Sequence, residues 1–282
     1  MGTSRGYTAP TAGEWPALKR LAGQLGSDGE GLDLGEDGVD DGPRPGLAVA
    51  TSAPMRLLSR YVHAHGGAAA MASGGAGGAS GGSGSDGAGG GTHRPGRAVV
   101  QAGQRLGHFA TRVSQVGLTT ALQDIGLGDL VGRPARDVVS ALVDRLAGDG
   151  STMDDNLARA ALRDLRRDVL GEAKTYEDVE RALAEVVEQG HLQWLIVQFY
   201  GHYLYDMFCR DFYERFLARF GKDNARRSID RVKRTIFSAL RAKLAGRDPT
   251  RVEWRGAEGR RLAESIMTRT LQIFEVGGLT LR

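Results

Sequence analysis

The pattern of apolar and polar residues divides the chain into a helical part and a part that is poor in apolar residues. From Arg97 onward, apolar residues recur every three or four positions, the spacing that places them on one face of an α-helix. The N-terminal third shows this spacing only in short pieces. The pattern predicts a mostly α fold in four parts: a long disordered N-terminal arm (1–53), a short helix (54–65), a Gly-rich linker (66–96) and a C-terminal helical bundle domain (97–282).

Glycines and capping residues mark the predicted helix ends in the bundle. The first bundle helix carries an apolar stripe that stops before Gly117. The members of this stripe are Val100, Gly103, Leu106, Phe109, Val113 and Val116. Ser151 and Thr175 are each followed three residues later by an aspartate, Asp154 and Asp178, and this spacing predicts the N-caps of two later helices. No segment alternates apolar and polar residues as a strand does.

Two segments near the C-terminus differ in character. Residues 191–220 are apolar nearly all round, which predicts a helix surrounded by its neighbours at the centre of the bundle. Residues 224–244 predict a basic amphipathic helix that packs through Ile229, Val232, Ile236 and Leu240. Its solvent-facing cations are Arg226, Arg231, Lys233, Arg234, Arg241 and Lys243.

Besides the helix predicted over 54–65, the N-terminal part holds one further short apolar stretch and a glycine-rich stretch. Trp15, Leu18 and Leu21 fall on one side of one or two helical turns, which could dock on a partner or on the body of the protein, or form only a fraying helix with a loosely packed Trp15. Residues 66–91 contain 13 glycines in 26 residues, which predicts a random coil. This coil either lets the arm reach a partner or is a neutral low-complexity insertion.

Composition bounds the class of protein. Aromatic residues make up only 6% of the chain and 42 residues are glycine, so much of it cannot bury a core. The single cysteine, Cys209, excludes an internal disulfide framework and is typical of a reducing compartment. No apolar run is long enough to cross a bilayer, and no secretory signal is evident. We therefore expect a cytoplasmic protein without a membrane segment.

Two sets of residues were weighed as catalytic or metal sites. His202, Asp206 and Cys209 have the spacing of one helical face, where a metal ion could bind, although an aromatic-rich core also buries such residues. Four carboxylates could supply acid and base chemistry, but two are explained equally well by helix N-termini. They are Asp154, Asp155, Glu180 and Glu185. Because no catalytic or metal-binding motif is present, we expect no enzyme activity, cofactor or metal.

The basic helix over 224–247 suggests a different function. Clustered arginines bind phosphates, so this helix could serve a nucleic-acid-binding accessory subunit. Against this, acidic residues interleave with the arginines, as on any solvated helix face. Seven carboxylates between Asp28 and Asp41 could also cover the basic face when no partner is bound.

Three stretches of the chain resemble the QatB family of the Qat anti-phage defence system. They are the opening MGTS, the segment PMRLLSRYVHAHGG, and LQDIGLGDLVGRPARDVVSALVDRLAGDGSTMDDNLARAAL at residues 122–162. The resemblance implies a role in antiviral defence alongside an ATPase (QatA), a QueC-like enzyme (QatC) and a TatD-like hydrolase (QatD). It implies partners rather than an active site in this chain.

The resemblance also suggests a role for the first residues. QueC enzymes use ATP to convert 7-carboxy-7-deazaguanine, and the activated carboxylate is attacked by a nitrogen nucleophile. A small residue at position 2 allows Met1 to be removed, which exposes the amine of Gly2. We therefore expect a scaffold or adaptor subunit whose Gly2 is modified by the QueC-like partner with a 7-deazaguanine-type group. Thr3 and Ser4 would contribute to recognition.

Overall fold

The computed structural model describes residues 15–27, 52–73, 96–148, 150, 152–188, 192–243, 254 and 256–276. Within these ranges the regular structure is nine α-helices and one 3₁₀ turn, with no strand, which confirms the mostly α prediction. None of these helices is long and apolar enough to cross a membrane. The helices are α1 (Trp15–Ser27), α2 (Ala53–Ala64), α3 (Gly67–Ser73), α4 (Arg97–Asp124), α5 (Ala135–Ala147), α6 (Met153–Leu170), α7 (Tyr176–Glu188), α8 (Leu192–Lys243) and α9 (Gly256–Val276).

The chain forms two compact units. Of the described residues, the first unit contains 15–27, 52–68, 207–243 and 271–276, and the second contains 69–73, 96–148, 150, 152–188, 192–206, 254 and 256–270. Helices α8 and α9 each contribute residues to both units. The four-part division predicted from the sequence stays a prediction.

In the second unit, α4 to α7 pack on one another and the first part of α8 is deeply buried. All residues from 195 to 204 are buried, which confirms the helix predicted at the centre of the bundle. Two glycines of α4 allow this close packing, because an added Cβ would clash with Tyr200 at Gly103 and with the Trp254 ring at Gly107. The Tyr200 hydroxyl donates a 3.0 Å hydrogen bond to the carbonyl of Ala263, and burial raises the pKa of this phenol.

Two long helices are each interrupted by a glycine. Gly117 has φ 80° and ψ 168° inside α4, and Gly221 has φ 73° and ψ 172° inside α8. A positive φ of this size strains any other residue, so both breaks depend on glycine. The break at Gly117 confirms the predicted end of the apolar stripe. The prediction that Val116 belongs to this apolar stripe was wrong, because Val116 is 39% exposed beside the break.

The predicted caps are correct at one helix and shifted at the other. Thr175 and Asp178 cap α7 as predicted, since the Asp178 N–H donates to Thr175 Oγ1 at 3.2 Å. Hydrogen bonds from the N–H groups of Thr175 and Lys174 lower the pKa of Asp178. At α6 the capping box is formed by Thr152 and Asp155, one position after the predicted pair. The prediction of Ser151 and Asp154 was wrong because Asp154 binds another helix.

In the first unit, α1 packs against α2, and the aromatic residues of α8 form a cluster. Helix α2 begins with Pro54 in its first turn and buries its apolar side, as the sequence predicts. Tyr61 of α2 meets Phe208 and Phe212 edge-on, with ring centroids 5.4 Å and 5.9 Å away. The apolar face predicted for 224–244 is confirmed over its described residues. Ile229, Val232, Ile236 and Leu240 are all buried.

Helix α3 lies where the sequence predicted random coil. Residues Gly67–Ser73 read GAAAMAS, and Met71 and Ala72 are buried. Alanine and methionine are strong helix formers, so this run outweighs the glycines before it. The coil prediction was therefore wrong for these seven residues, and the rest of the glycine-rich stretch, residues 74–95, lies outside the described residues.

Candidate functional site

The predicted modification site lies outside the described residues. These residues are Gly2, Thr3 and Ser4. The side chain of Trp15 is also outside them, although Trp15 begins α1. Leu18 is fully buried within the chain itself and Leu21 is half-buried, so α1 docks on its own unit. Partner docking through these three residues stays a prediction.

The predicted basic face is present on the second part of α8. Arg226, Arg234 and Arg241 are exposed, whereas Arg231 and Lys233 are half-buried; the side chain of Lys243 lies outside the described residues. Arg227, which is not among the predicted cations, is also exposed and donates a hydrogen bond to Asn224 Oδ1. Four arginines, spaced four, three and seven residues apart, lie along one edge of the helix. We call this set the arginine row, and its members are Arg227, Arg231, Arg234 and Arg241.

A second group of cations forms where α8 meets α1. The guanidinium of Arg219 lies beside Gly23, so that an added Cβ would be 2.6 Å from Arg219 Nη1. Lys19 and Arg20 precede Gly23 by about one helical turn and therefore share its side of α1. All three cations are exposed. We call Lys19, Arg20 and Arg219 the α1 cluster. No sequence pattern indicates this cluster, because about 200 residues separate its members along the chain.

Charge is distributed unevenly between the two units. The described residues of the first unit include 15 Lys and Arg against five Asp and Glu, a formal charge of +10. The described residues of the second unit include 15 Lys and Arg against 17 Asp and Glu, a formal charge of −2. The small net charge of the whole chain therefore conceals a strongly basic unit.

His202, which the spacing places on one helical face with Asp206 and Cys209, lies beside two carboxylates of α6. Its Nε2 lies 2.8 Å from Asp168 Oδ2, and its Nδ1 lies 3.8 Å from Asp164 Oδ2. Asp206 and Cys209 are half-buried. Across the described ranges, no three His, Cys, Asp or Glu side chains are placed to hold a metal ion. The hydrogen bond between His202 and Asp168 thus links α8 to α6.

The four carboxylates weighed for acid and base chemistry are not brought together. Asp155 belongs to the α6 capping box, and Glu180 and Glu185 are exposed on α7. Asp154 instead accepts hydrogen bonds from the start of α4 and from α8. Its donors are the N–H groups of Gly96 at 3.2 Å and Ala98 at 2.8 Å, and the Tyr203 hydroxyl at 2.7 Å. It therefore caps α4 from another helix.

A buried acidic group in the first unit was not predicted from the sequence. Asp211 accepts a hydrogen bond from the Tyr61 hydroxyl at 2.6 Å and one from Arg210 Nε at 2.8 Å. His65 donates from Nδ1 to the Tyr61 carbonyl at 2.9 Å, and its Nε2 lies 3.7 Å from Asp211 Oδ2. Burial lowers the pKa of His65, against the opposing effects of the Tyr61 carbonyl and Asp211. The group holds α2 to α8.

The second unit also contains an open polar cleft of about 760 Å³. One wall is a row on α4, formed by Gln101, Arg105 and His108 at four- and three-residue spacing. The opposite wall comes from the end of α5 and the start of α6, including Asp144 and Asp155. Both signs of charge face the cleft, and Arg105 donates to the carbonyl of Leu146 at 3.3 Å. The cleft therefore has no single preferred ligand charge.

Comparison with known proteins identifies a family. The family described as Qat anti-phage system associated protein QatB matches residues 87–274, which is more than half of the chain. No curated protein and no solved structure matches the chain. The match includes the whole of the segment 122–162 that carried the resemblance and continues through α8 into α9. The chain therefore belongs to the QatB family of the Qat anti-phage system.

Proposed function

We propose that this protein is a scaffold and adaptor subunit of the Qat defence complex and that its N-terminal Gly2 is a substrate for a QueC-like partner (QatC). Family membership gives it a role in the anti-phage system together with other Qat subunits. In the proposal, the partner attaches a 7-deazaguanine-type group to the Gly2 amine after Met1 has been removed. The ATPase (QatA) and the TatD-like hydrolase (QatD) are the remaining proposed partners.

The proposed chemistry is an amide ligation. The partner uses ATP to adenylate the carboxylate of a 7-carboxy-7-deazaguanine, releasing pyrophosphate. The neutral Gly2 amine then attacks the activated carbonyl carbon, an amide bond forms, AMP leaves and the nitrogen loses one proton. An α-amine has an ordinary pKa of about 7.7 to 8, so a useful fraction is neutral at physiological pH. Because glycine has no side chain, a narrow pocket is not obstructed.

The position of α1 is the observation that carries the proposal. Leu18 and Leu25 are buried in the first unit, so α1 is anchored there. Gly2 is 13 residues before Trp15, and a chain of that length spans at most about 45 Å when fully extended. A terminus within this reach of an anchored helix suits a subunit that presents its α-amine to an enzyme's pocket. Partner enzymes that modify Gly2 would then dock within that distance of α1.

Intact mass spectrometry tests the proposal. The chain is co-expressed with the QueC-like partner, and we expect a mass increase equal to the deazaguanine acid minus water. Gly2→Leu should abolish the increase, because a bulky second residue also blocks Met1 removal. Gly6→Ala is the matched control and should be modified normally. An unmodified Gly2 amine in a complex that still protects cells from phage would exclude the substrate role.

A further inference from the structure

We propose that the first unit binds the phosphate backbone of nucleic acid, through the arginine row on α8 and the α1 cluster. This inference is independent of the proposed modification of Gly2, since it depends only on the folded residues. The α1 cluster adds to the binding surface a part that the basic helix alone does not contain. The binding is electrostatic and does not read base sequence.

The arginine row is long enough to contact several phosphates of a nucleic-acid backbone. Its outer members are 14 residues apart, which corresponds to about 21 Å along a helix. A duplex carries one phosphate per about 3.4 Å of axis on each strand, so the row runs beside several phosphates at once. Arginine is suited to this contact because its planar guanidinium donates two parallel hydrogen bonds to one phosphate.

The ion pairs of helical arginines in the second unit can be compared with the arginine row. Three helical arginines of the second unit pair with a carboxylate one turn away, whereas Arg163 and Arg261 of that unit form no ion pair with the described residues. Its helical pairs are Arg167 with Asp164 at 3.1 Å, Arg181 with Asp178 at 3.3 Å, and Arg260 with Glu264 at 3.5 Å. Among the described residues, the guanidinium groups of Arg231, Arg234 and Arg241 form no such pair. The row therefore keeps its charge available for an external anion.

The α1 cluster supports the same ligand from a separate element. Packing places the Arg219 guanidinium beside the turn of α1 that carries Lys19 and Arg20. Arg219 also lies over the ring of Phe220, at 5.4 Å from the centroid, which orders its side chain. Three like charges near one another repel, and an anion bound between them removes that repulsion. A formal charge of +10 on the described part of this unit raises the local concentration of any polyanion.

The test measures binding of the full-length chain to fluorescently labelled nucleic acid by anisotropy. The probes are a duplex and a single strand of the same arbitrary sequence, each of about 20 nucleotides per strand, long enough to cover the row. If the row contacts four phosphates, duplex affinity should fall about 150-fold between 50 and 200 mM salt. Two unrelated sequences should bind with equal affinity. Binding to neither probe at 50 mM salt would overturn the proposal.

Three variants assign the binding to these residues. R227Q/R231Q/R234Q/R241Q should weaken binding at 50 mM salt by at least about 100-fold and reduce the salt slope by about three to four. K19Q/R20Q/R219Q should weaken it by at least tenfold. The matched control R133Q/R163Q/R261Q removes three exposed arginines from the second unit and should bind like the unaltered chain.

Two controls accompany these variants: one checks that they fold, and the other tests a different anionic ligand. Circular dichroism of each variant should equal that of the unaltered chain; if the quadruple variant unfolds, R234Q/R241Q replaces it, because both side chains are exposed. Vesicles containing phosphatidylserine are the comparison ligand. Stronger binding to these vesicles than to either probe would overturn the assignment to nucleic acid. Equal loss of binding in the second-unit control would also overturn it.

Discussion

Asp154 offers the sharpest test of how the second unit is held together. Its half-buried carboxylate accepts from two N–H groups at the start of α4 and from the buried hydroxyl of Tyr203. Hydrogen bonds to a charged acceptor contribute about 1.5 to 3 kcal/mol each, and an unpaired buried hydroxyl costs about 1 to 3 kcal/mol. Because Asp154 is only half-buried, water can enter in place of its carboxylate and offset part of this loss. We therefore expect Asp154→Ala to destabilise the second unit by about 3 kcal/mol, and Asp154→Asn by about half as much.

The assay combines urea unfolding with hydrogen exchange. Because the chain has two compact units, unfolding by circular dichroism alone does not identify which unit has lost stability. Amide exchange over residues 98–106 reports on the start of α4 directly, and it should accelerate in Asp154→Ala. Tyr203→Phe removes one donor, and a double-mutant cycle with Asp154→Ala should reveal a coupling of about 1 kcal/mol or more.

Exposed Glu180 provides the control, since Glu180→Ala should change stability by less than about 0.5 kcal/mol. If Asp154→Ala were equally harmless, or if exchange at the start of α4 did not change, the cap from another helix would not stabilise this unit. A double-mutant cycle without coupling would show that the Tyr203 hydrogen bond and the α4 cap contribute to stability independently.

Three further predictions concern buried groups. Gly103→Ala should destabilise the second unit by about 1 to 3 kcal/mol, seen as a lower urea midpoint, because the new Cβ meets the Tyr200 hydroxyl. Tyr61→Phe should cost about 1 to 3 kcal/mol in the same measurement, since buried Asp211 loses a donor. Because the pKa of His65 is lowered in the folded protein, the unfolded chain binds a proton at this side chain at a higher pH than the folded chain does. Stability should thus be full above pH 6.5 and decline as the pH falls from 6.5 towards the folded-state pKa, a slope that His65→Gln should reduce.

Local patterns were sufficient to predict most helices and their breaks. Helix periodicity and burial both follow from which residues are apolar, so the buried stretch 195–204 was evident from its composition. Gly117 was recognised as the end of a stripe, and Gly221 falls in the gap between two predicted helices. In both cases a single residue type has a conformational freedom that the others lack.

Contacts between distant residues were not predictable in the same way. Thr152 and Ser151 are equally suitable caps by sequence, and the choice depends on Asp154 being bound to Gly96, 58 residues earlier. Likewise, the arginine row follows from helical spacing, whereas the α1 cluster depends on where α1 packs. Periodicity describes one helix at a time, so it locates surfaces on single helices and misses those that two helices share.

The buried hydroxyl of Tyr200 gives the second unit a built-in optical reporter. An exposed tyrosine ionises near pH 10, and its ultraviolet absorbance then changes. Burial, together with the nearby charge of Glu264, raises the pKa of Tyr200 and keeps it protonated for as long as the helices around it stay packed. Because the folded protein raises the pKa of Tyr200, the stability that this group contributes is complete below pH 10. This stability is lost as the pH rises further. The pH at which the ultraviolet absorbance of Tyr200 changes would therefore report the pH at which the helices around it separate.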